Sequence, residues 1–299
     1  MTNKSPLLIA FDGSEYASWA TERGALIAGQ LGCPLGIVQV INQGALDELR
    51  ELLGLAAGEV EQRLIDRAQA YLAACAGHLA DTYGISPAVQ LCRGAVLPGI
   101  LDHADAIDAG LLILGAHSGG LVSQLLLGST AGRLLRKSRR PVLVVQQQPQ
   151  GRYRRVLVPV DFSPWSAPVV ALAKTLAPDA EIVLFHAFEV PFEGQLRFAG
   201  VDADRIAELT QRARNEAEHR LQQLVQDNPL PGGKACRPLI EHGSAARLIV
   251  STAGDLGCDL IVMGKRGRGQ IEEWLLGSST KHVLAETSCD VAIAHAGAA

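Results

Sequence analysis

The chain is expected to be an α/β protein made of two tandem, doubly wound parallel-sheet domains. Three observations predict this. The first is a repeat: LLIAFDGS at 7–14 returns as VLVPVDFS at 156–163, and LLILGAHSGGLVSQLLLGST at 111–130 returns as LIVMGKRGRGQIEEWLLGSS at 260–279, both at an offset of 149 residues. The final apolar runs, PVLVV from Pro141 and DVAIA from Asp290, keep the same offset. The second is alternation: short apolar runs, too short for buried helices, alternate with longer stretches of helical periodicity, the pattern of βαβ units with right-handed crossovers. The third is composition. The 299 residues are 48% hydrophobic but only 4% aromatic, so the cores are built from Ala, Val, Leu and Ile, as when helices cover both faces of a parallel sheet. Two domains of this length each suffice for their own core. They are expected at 1–147 and 153–299, joined by the polar Gln146–Arg152 stretch with its Pro and Gly.

Each copy opens with a strand, Leu7–Phe11 or Val156–Val160, ending at Asp12 or Asp161. Helices over Ser14–Leu31 and Ser163–Leu176 follow, since Ser and Pro suit a helix start. Second strands are expected at Leu35–Ile41 and Ile182–Phe188; here the offset is 147, so the first copy holds two extra residues before this strand. Amphipathic helices run over Val60–Tyr83 and Ala203–Asp227. Ahead of the first, Gly44–Gly58 reads as a mobile excursion, and PFEGQLRFAG is its Gly-punctuated counterpart. Third strands at Ala88–Cys92 and Ala235–Leu239 lead to turns at Arg93–Ala95 and His242–Ser244. Helices over Pro98–Asp105 and Ala246–Leu256 precede fourth strands at Leu111–Leu114 and Leu260–Met263.

Composition narrows the function. A net charge of −4 gives no general field for nucleic acid. The six cysteines have no CxxC spacing, which points to reduced thiols rather than a disulfide framework or zinc site; Cys92 and Cys236 read as structural strand residues. No run is long enough to span a membrane and MTNKSP lacks a signal peptide's apolar core, so a cytoplasmic protein is expected.

In a doubly wound sheet, ligands sit beyond the carboxyl ends of the strands where the winding direction switches. The repeated motifs fall there. In the second copy Gly264-Lys265-Arg266-Gly267 is followed by nine residues and then Gly277-Ser278. Glycines allow close backbone approach, and successive N–H groups in such a loop cup an anion. Gly277-Ser278-Ser279-Thr280 then opens the last helix, whose N-terminus offers unpaired N–H donors and partial positive charge. A chain of phosphates fits between two such elements, with Lys265, Arg266 and Arg268 adding charge. The motif is neither a Walker A loop nor a dinucleotide fingerprint, since neither pattern follows the first strand.

The spacing G-x2-G-x9-G-[ST], with an Asp ending the first strand, resembles the universal stress protein family. The resemblance runs through VPVDFS at Val158–Ser163, the EHGS turn at Glu241–Ser244, DLIVMGKRGRG at Asp259–Gly269 and LLGSS at Leu275–Ser279, and covers nearly the whole chain as two domains. It implies a Rossmann-like, adenine nucleotide alpha hydrolase-like fold. The long glycine motif resembles the branch of the family that binds ATP, with or without Mg2+, and so implies a nucleotide-dependent stress-response regulator or sensor without dedicated catalysis. Carried over residue by residue, Pro159, Val160 and Asp161 would flank adenine and ribose, and Ala187 would offer its backbone to the adenine. Met263, Gly264, Arg266 and Gly267 would wrap ribose and phosphates, with Gly277, Ser278 and Ser279 completing the phosphate site. The first-copy equivalents are Ala10, Phe11, Asp12, Val40, Leu114, Gly115, His117, Ser118, Gly128, Ser129 and Thr130. Here Ser118 replaces the second glycine, at a cost of about 1 kcal/mol if that position needs a left-handed backbone. The resemblance also implies that the two copies pair through their last strands as an intramolecular pseudo-dimer, with a homodimer of chains beyond that.

Simpler readings accompany these. Asp12 and Asp161 are also good helix N-caps, as are Ser129 and Ser278. His117 could be a solvated loop residue, and His186 a core or edge histidine with its hydrogen bonds met. Glu272 and Glu273 suit a solvated face. No nucleophile–base pair recurs in both copies and no metal cluster is visible, so no catalytic residue is assigned. Two further classes stay open: a protein-interaction scaffold with vestigial sites, and a slow ATPase.

Overall fold

The structure, a computed structural model, describes residues 5–53, 57–117, 128–229, 236–265 and 276–295. It divides into two compact units, Met1–Arg152 with Asp290–Ala299, and Tyr153–Cys289. The repeat assigns Asp290–Ala294 to the second copy, yet this strand pairs within the first unit.

In unit 1, strands β1 (Leu7–Ala10), β2 (Leu35–Asn42), β3 (Ala88–Gly94), β4 (Leu111–Gly115) and β5 (Val142–Val145) are parallel in the order β3-β2-β1-β4-β5. The chain winds outward from β1 to β3, then crosses back to β4, so the winding reverses between β1 and β4. These two strands are buried on both faces, as their unbroken apolar runs require. The strand of Asp290–Ala294 (β10) runs antiparallel to β5, with Val291 opposite Val144.

Helix α1 (Glu15–Leu31) begins where the Ser14 hydroxyl accepts the Ala17 N–H at 3.1 Å. It ends at Gly32, whose φ of 62° supplies the left-handed C-cap. Most of the expected excursion over Gly44–Gly58 is instead a helix, α2 (Gln43–Leu53), and residues 54–56 lie outside the described residues. Arg50 ties it down through a 2.6 Å ion pair to Glu61 in α3 (Ala57–Tyr83), and Leu46 is its buried anchor. Its glycines misled because Gly44 stands in the first turn, where a helix needs no side chain. Along α3, Ile65, Leu72 and Leu79 form the buried stripe. Helices α4 (Val96–Ala106) and α5 (Ser129–Lys137) complete the unit.

Unit 2 repeats the plan. Strands β6 (Arg155–Pro159), β7 (Glu181–Phe188), β8 (Arg237–His242) and β9 (Leu260–Gly264) are parallel in the order β8-β7-β6-β9. Its helices are α6 (Ser166–Leu176), α7 (Glu193–Phe198), α8 (Ala203–Asp227), α9 (Ala245–Asp255) and α10 (Ser278–Glu286). The PFEGQLRFAG segment thus carries the short helix α7. The six cysteines are free thiols; Cys236 is buried and Cys92 half-buried. No helix among the described residues is long and apolar enough to cross a membrane.

Candidate functional site

A cavity of about 300 Å³ opens in unit 2 where the winding reverses between β6 and β9. Three strand ends and a helix start contribute to it. The end of β6 delivers Pro159, Val160 and Asp161, and the end of β7 delivers His186 and Ala187. The end of β9 contributes Met263 and Gly264, and the start of α10 contributes Gly277, Ser278 and Ser279. Every domain-2 residue assigned from sequence lines this cavity except Arg266 and Gly267, which lie outside the described residues. A matching cavity of about 240 Å³ in unit 1 is lined by Ala10, Phe11, Asp12, Val40, Leu114, Gly115, His117, Gly128 and Thr130. Ser129 is not in its lining, and Ser118 lies outside the described residues.

The turn after the first strand is held by the acidic residue itself. Asp12 Oδ1 accepts the Ser14 N–H at 2.9 Å, and Asp161 Oδ1 accepts the Ser163 N–H at 3.0 Å. Neither Asp is the helix N-cap: Ser14 caps α1, and Trp165 stands at the cap position of α6. One oxygen shapes the turn while the carboxylate lines the cavity. The residue between is left-handed in both copies, Gly13 at φ 80° and Phe162 at φ 58°. Ser14 also donates its hydroxyl to the His117 carbonyl at 3.3 Å, so the start of α1 is tied to the exit of β4. His117 is no simple solvated residue, because its ring meets Tyr16 edge-on at 4.8 Å.

The second half of the motif folds identically in both units. The Gly128 N–H donates to the Ala116 carbonyl at 2.9 Å, and the Gly277 N–H to the Lys265 carbonyl at 3.1 Å. These bonds bring the N-termini of α5 and α10 back to the ends of β4 and β9. The caps are Gly128 and Gly277, not the following serines, and neither makes a side-chain cap bond. The first N–H groups of α10 therefore face a cavity rather than a capping hydroxyl, with the partial positive charge of the helix end behind them. Thr280 donates its hydroxyl to the Gly264 carbonyl at 3.2 Å, fixing the helix start against β9.

Two assignments change in character. Gly115 is required by packing: a Cβ there would lie 2.6 Å from the Tyr16 carbonyl carbon, so it is the close approach of α1 that excludes a side chain. Lys265, expected to add charge, is buried and does not line the cavity; among the described lining there is no lysine or arginine. Arg268 lies outside the described residues, as do Glu272 and Glu273. His186 has its hydrogen bond met, as the simpler reading held, with Nδ1–H donating to the Val160 carbonyl at 2.7 Å, yet it also lines the cavity.

Sequence reasoning missed the apolar wall. Ala245 and Ile249 on α9 line one cavity, and Val96 and Ile100 on α4 line the other, again at offset 149. The signal was a matched apolar pair at helical spacing just after the RGA and HGS turns. Trp165 also lines the unit 2 cavity, in a chain with few aromatics.

Fold and site together define a duplicated α/β protein with a ligand-sized cavity at the switch point of each sheet. The chain belongs to the universal stress protein family, whose sequence model matches it twice, over residues 5–146 and 152–295. A universal stress protein of Mycobacterium tuberculosis (strain H37Rv) is 26% identical over 301 residues, 96% of either chain. Universal stress protein A homolog 2 of Coxiella burnetii is 33% identical over 146 residues, 46% of this chain and 92% of that one. The crystal structure of a universal stress protein from Archaeoglobus fulgidus superposes with a TM-score of 0.62 at 20% identity, covering 99% of this chain and all of that one, a likeness of fold.

Proposed function

We propose that the chain binds ATP in these cavities and acts as a nucleotide-dependent regulator. One observation carries the reading: in both units a carboxylate at the end of the first strand faces the open N-terminus of the last helix across a cavity at the switch point. The chemistry suits a nucleotide. A carboxylate accepts hydrogen bonds from ribose hydroxyls, and the uncapped N–H groups of α10 suit phosphate oxygens. The Met263, Val160 and Ile249 side chains offer the apolar surface an adenine ring needs, and a cavity of about 300 Å³ falls at the lower end of the size range of small-molecule sites. Asp161, Ala187, Gly277, Ser278 and Ser279 would hold the nucleotide in unit 2, and Asp12, Val40, Gly128 and Thr130 in unit 1. Any Mg2+ would arrive with the phosphates. The antiparallel pairing of β10 with β5 supports the expectation that the last strands of the two copies pair within one chain.

The test is to denature the purified chain, separate the released small molecules, and titrate the refolded or nucleotide-stripped protein with ATP. Adenine nucleotide in the supernatant and saturable ATP binding are expected. Their joint absence would overturn the reading in favour of a scaffold.

A further inference from the structure

Unit 1 contains a second cavity, of about 320 Å³, that belongs to neither switch point. Its walls are Gly13, Gln39 and one face of α3, where Leu64, Arg67, Ala68 and Tyr71 follow the i, i+3, i+4, i+7 spacing that aligns side chains on a helix. It lies across the sheet from the first cavity. Val40 lines the first and Gln39 the second, because successive strand residues point to opposite faces.

In the second copy the equivalent residues pack on one another. The equivalents of Gly13, Gln39 and Tyr71 are Phe162, His186 and Arg220. The Phe162 ring lies 4.2 Å from that of His186, and the Arg220 guanidinium sits 4.6 Å over Phe162. His186 spends its Nδ1–H on the Val160 carbonyl. In unit 1 the ring is missing because residue 13 is glycine, and Gln39 Oε1 is buried with no hydrogen-bond partner. Arg67 makes no ion pair among the described residues, and Tyr71 is half exposed beside the opening while its ring stacks on Phe11 at 5.6 Å. A buried acceptor without a donor is costly unless something supplies one.

We propose that this cavity is a second ligand site of unit 1, for a small planar carboxylate that carries an O–H or N–H donor. Arg67 takes the carboxylate, Tyr71 and Leu64 take the ring, and Gln39 Oε1 accepts from the donor. The proposal does not depend on the nucleotide reading, because none of Gly13, Gln39, Leu64, Arg67, Ala68 and Tyr71 lines the first cavity.

The probe is 4-hydroxybenzoate, titrated into the full chain by calorimetry and by saturation-transfer NMR. Saturable binding is expected, with benzoate, which lacks the donor, and 4-hydroxybenzyl alcohol, which lacks the charge, each about tenfold weaker. Arg67→Gln weakens binding by a similar factor. Gly13→Phe, which gives unit 1 the ring that unit 2 has, abolishes it. Ala68→Leu fills the cavity from α3 without touching the turn and abolishes it too, while leaving adenine nucleotide content unchanged, so the result stands even if Gly13→Phe fails to fold. No saturable binding to the wild-type chain, or binding that survives Arg67→Gln and Ala68→Leu, would overturn the proposal.

Discussion

Arg23 Nε lies 3.0 Å from Asp290 Oδ2, and both side chains are buried to within a few per cent. Arg23 stands on α1 and Asp290 opens β10, residues 267 apart in sequence. Arg23 also donates to the Gly151 carbonyl at 2.7 Å, and Asp290 Oδ1 accepts the Gln146 N–H at 2.9 Å. One charge pair therefore fixes the end of β5, the connecting segment and the last strand. Removing one partner leaves a buried charge uncompensated, which costs about 3–5 kcal/mol. Asp290→Ala should lower unfolding free energy by that order, and the double variant Arg23→Met, Asp290→Leu should lose markedly less. Urea unfolding of the four proteins in a mutant cycle measures both.

Gly115→Ala tests whether the first motif glycine is kept for packing. The added methyl would meet the Tyr16 backbone at 2.6–2.8 Å, and a backbone cannot rotate aside as a side chain can. Helix α1 must shift, at the cost typical of an overpacked site, about 1–3 kcal/mol. A thermal melt should show a fall in Tm without added ligand. An unchanged Tm would assign the glycine to ligand approach alone.

The pH dependence of unit 2 has a definite sign at the start of β7. The Glu181 carboxyl is held below the usual carboxylate range, first by its hydrogen bond to Arg155 at 2.7 Å, and Arg237 lies 3.7 Å away on the other neighbouring strand. A group whose pKa is depressed on folding adds stability above its unfolded value of about 4.3, and that contribution fades as pH falls through the folded value. Because the pair is more than a third exposed, solvent screening limits it to about 0.2–1 kcal/mol. Glu181→Gln should therefore lower stability slightly at pH 7 and flatten the acid limb below about pH 4. Unfolding curves of both proteins from pH 3 to pH 7 (about this window) check the slope.

What the sequence conveyed depended on whether the physics was local. The strands were legible because Leu7–Ile9 and Leu111–Ile113 are apolar at every position, and only burial on both faces of a sheet selects that. The helix starts at Gly128-Ser129 and Gly277-Ser278 were legible because glycine and short polar residues have few other reasons to recur at a fixed offset. But the sequence put the caps on the serines and on Asp12 and Asp161, where the structure has Gly128, Gly277 and two Asp-to-Ser turns. By contrast, the role of Gly115 depends on Tyr16 of the first helix, far earlier in the chain, and no local pattern records that approach. The α2 helix was missed for a related reason: Leu46 and Arg50 secure it only once α3 is alongside. The pairing of Asp290–Ala294 with β5 was expected from the family resemblance, but the buried Arg23–Asp290 pair beside it joins residues far apart in sequence and left no local pattern to read.

The phosphate end of the proposed nucleotide site is open to a direct test at Gly277. Its φ of −58° is available to any L-residue, and its N–H and carbonyl keep their partners, Lys265 and Lys281, whatever side chain is present. Valine here leaves the backbone bonds intact but places two methyl groups in the cavity mouth, over the first N–H groups of α10. Gly277→Val should therefore retain the wild-type circular dichroism spectrum, with a Tm within a few degrees, and should lose most of the nucleotide held in unit 2. Gly128→Val should do the same to unit 1. If each copy holds one nucleotide, the two single variants each retain about half and the double variant none, by the additivity of independent sites. Nucleotide counted per chain after denaturation separates the cases. Undiminished nucleotide in Gly277→Val at native spectrum would place the phosphates away from α10.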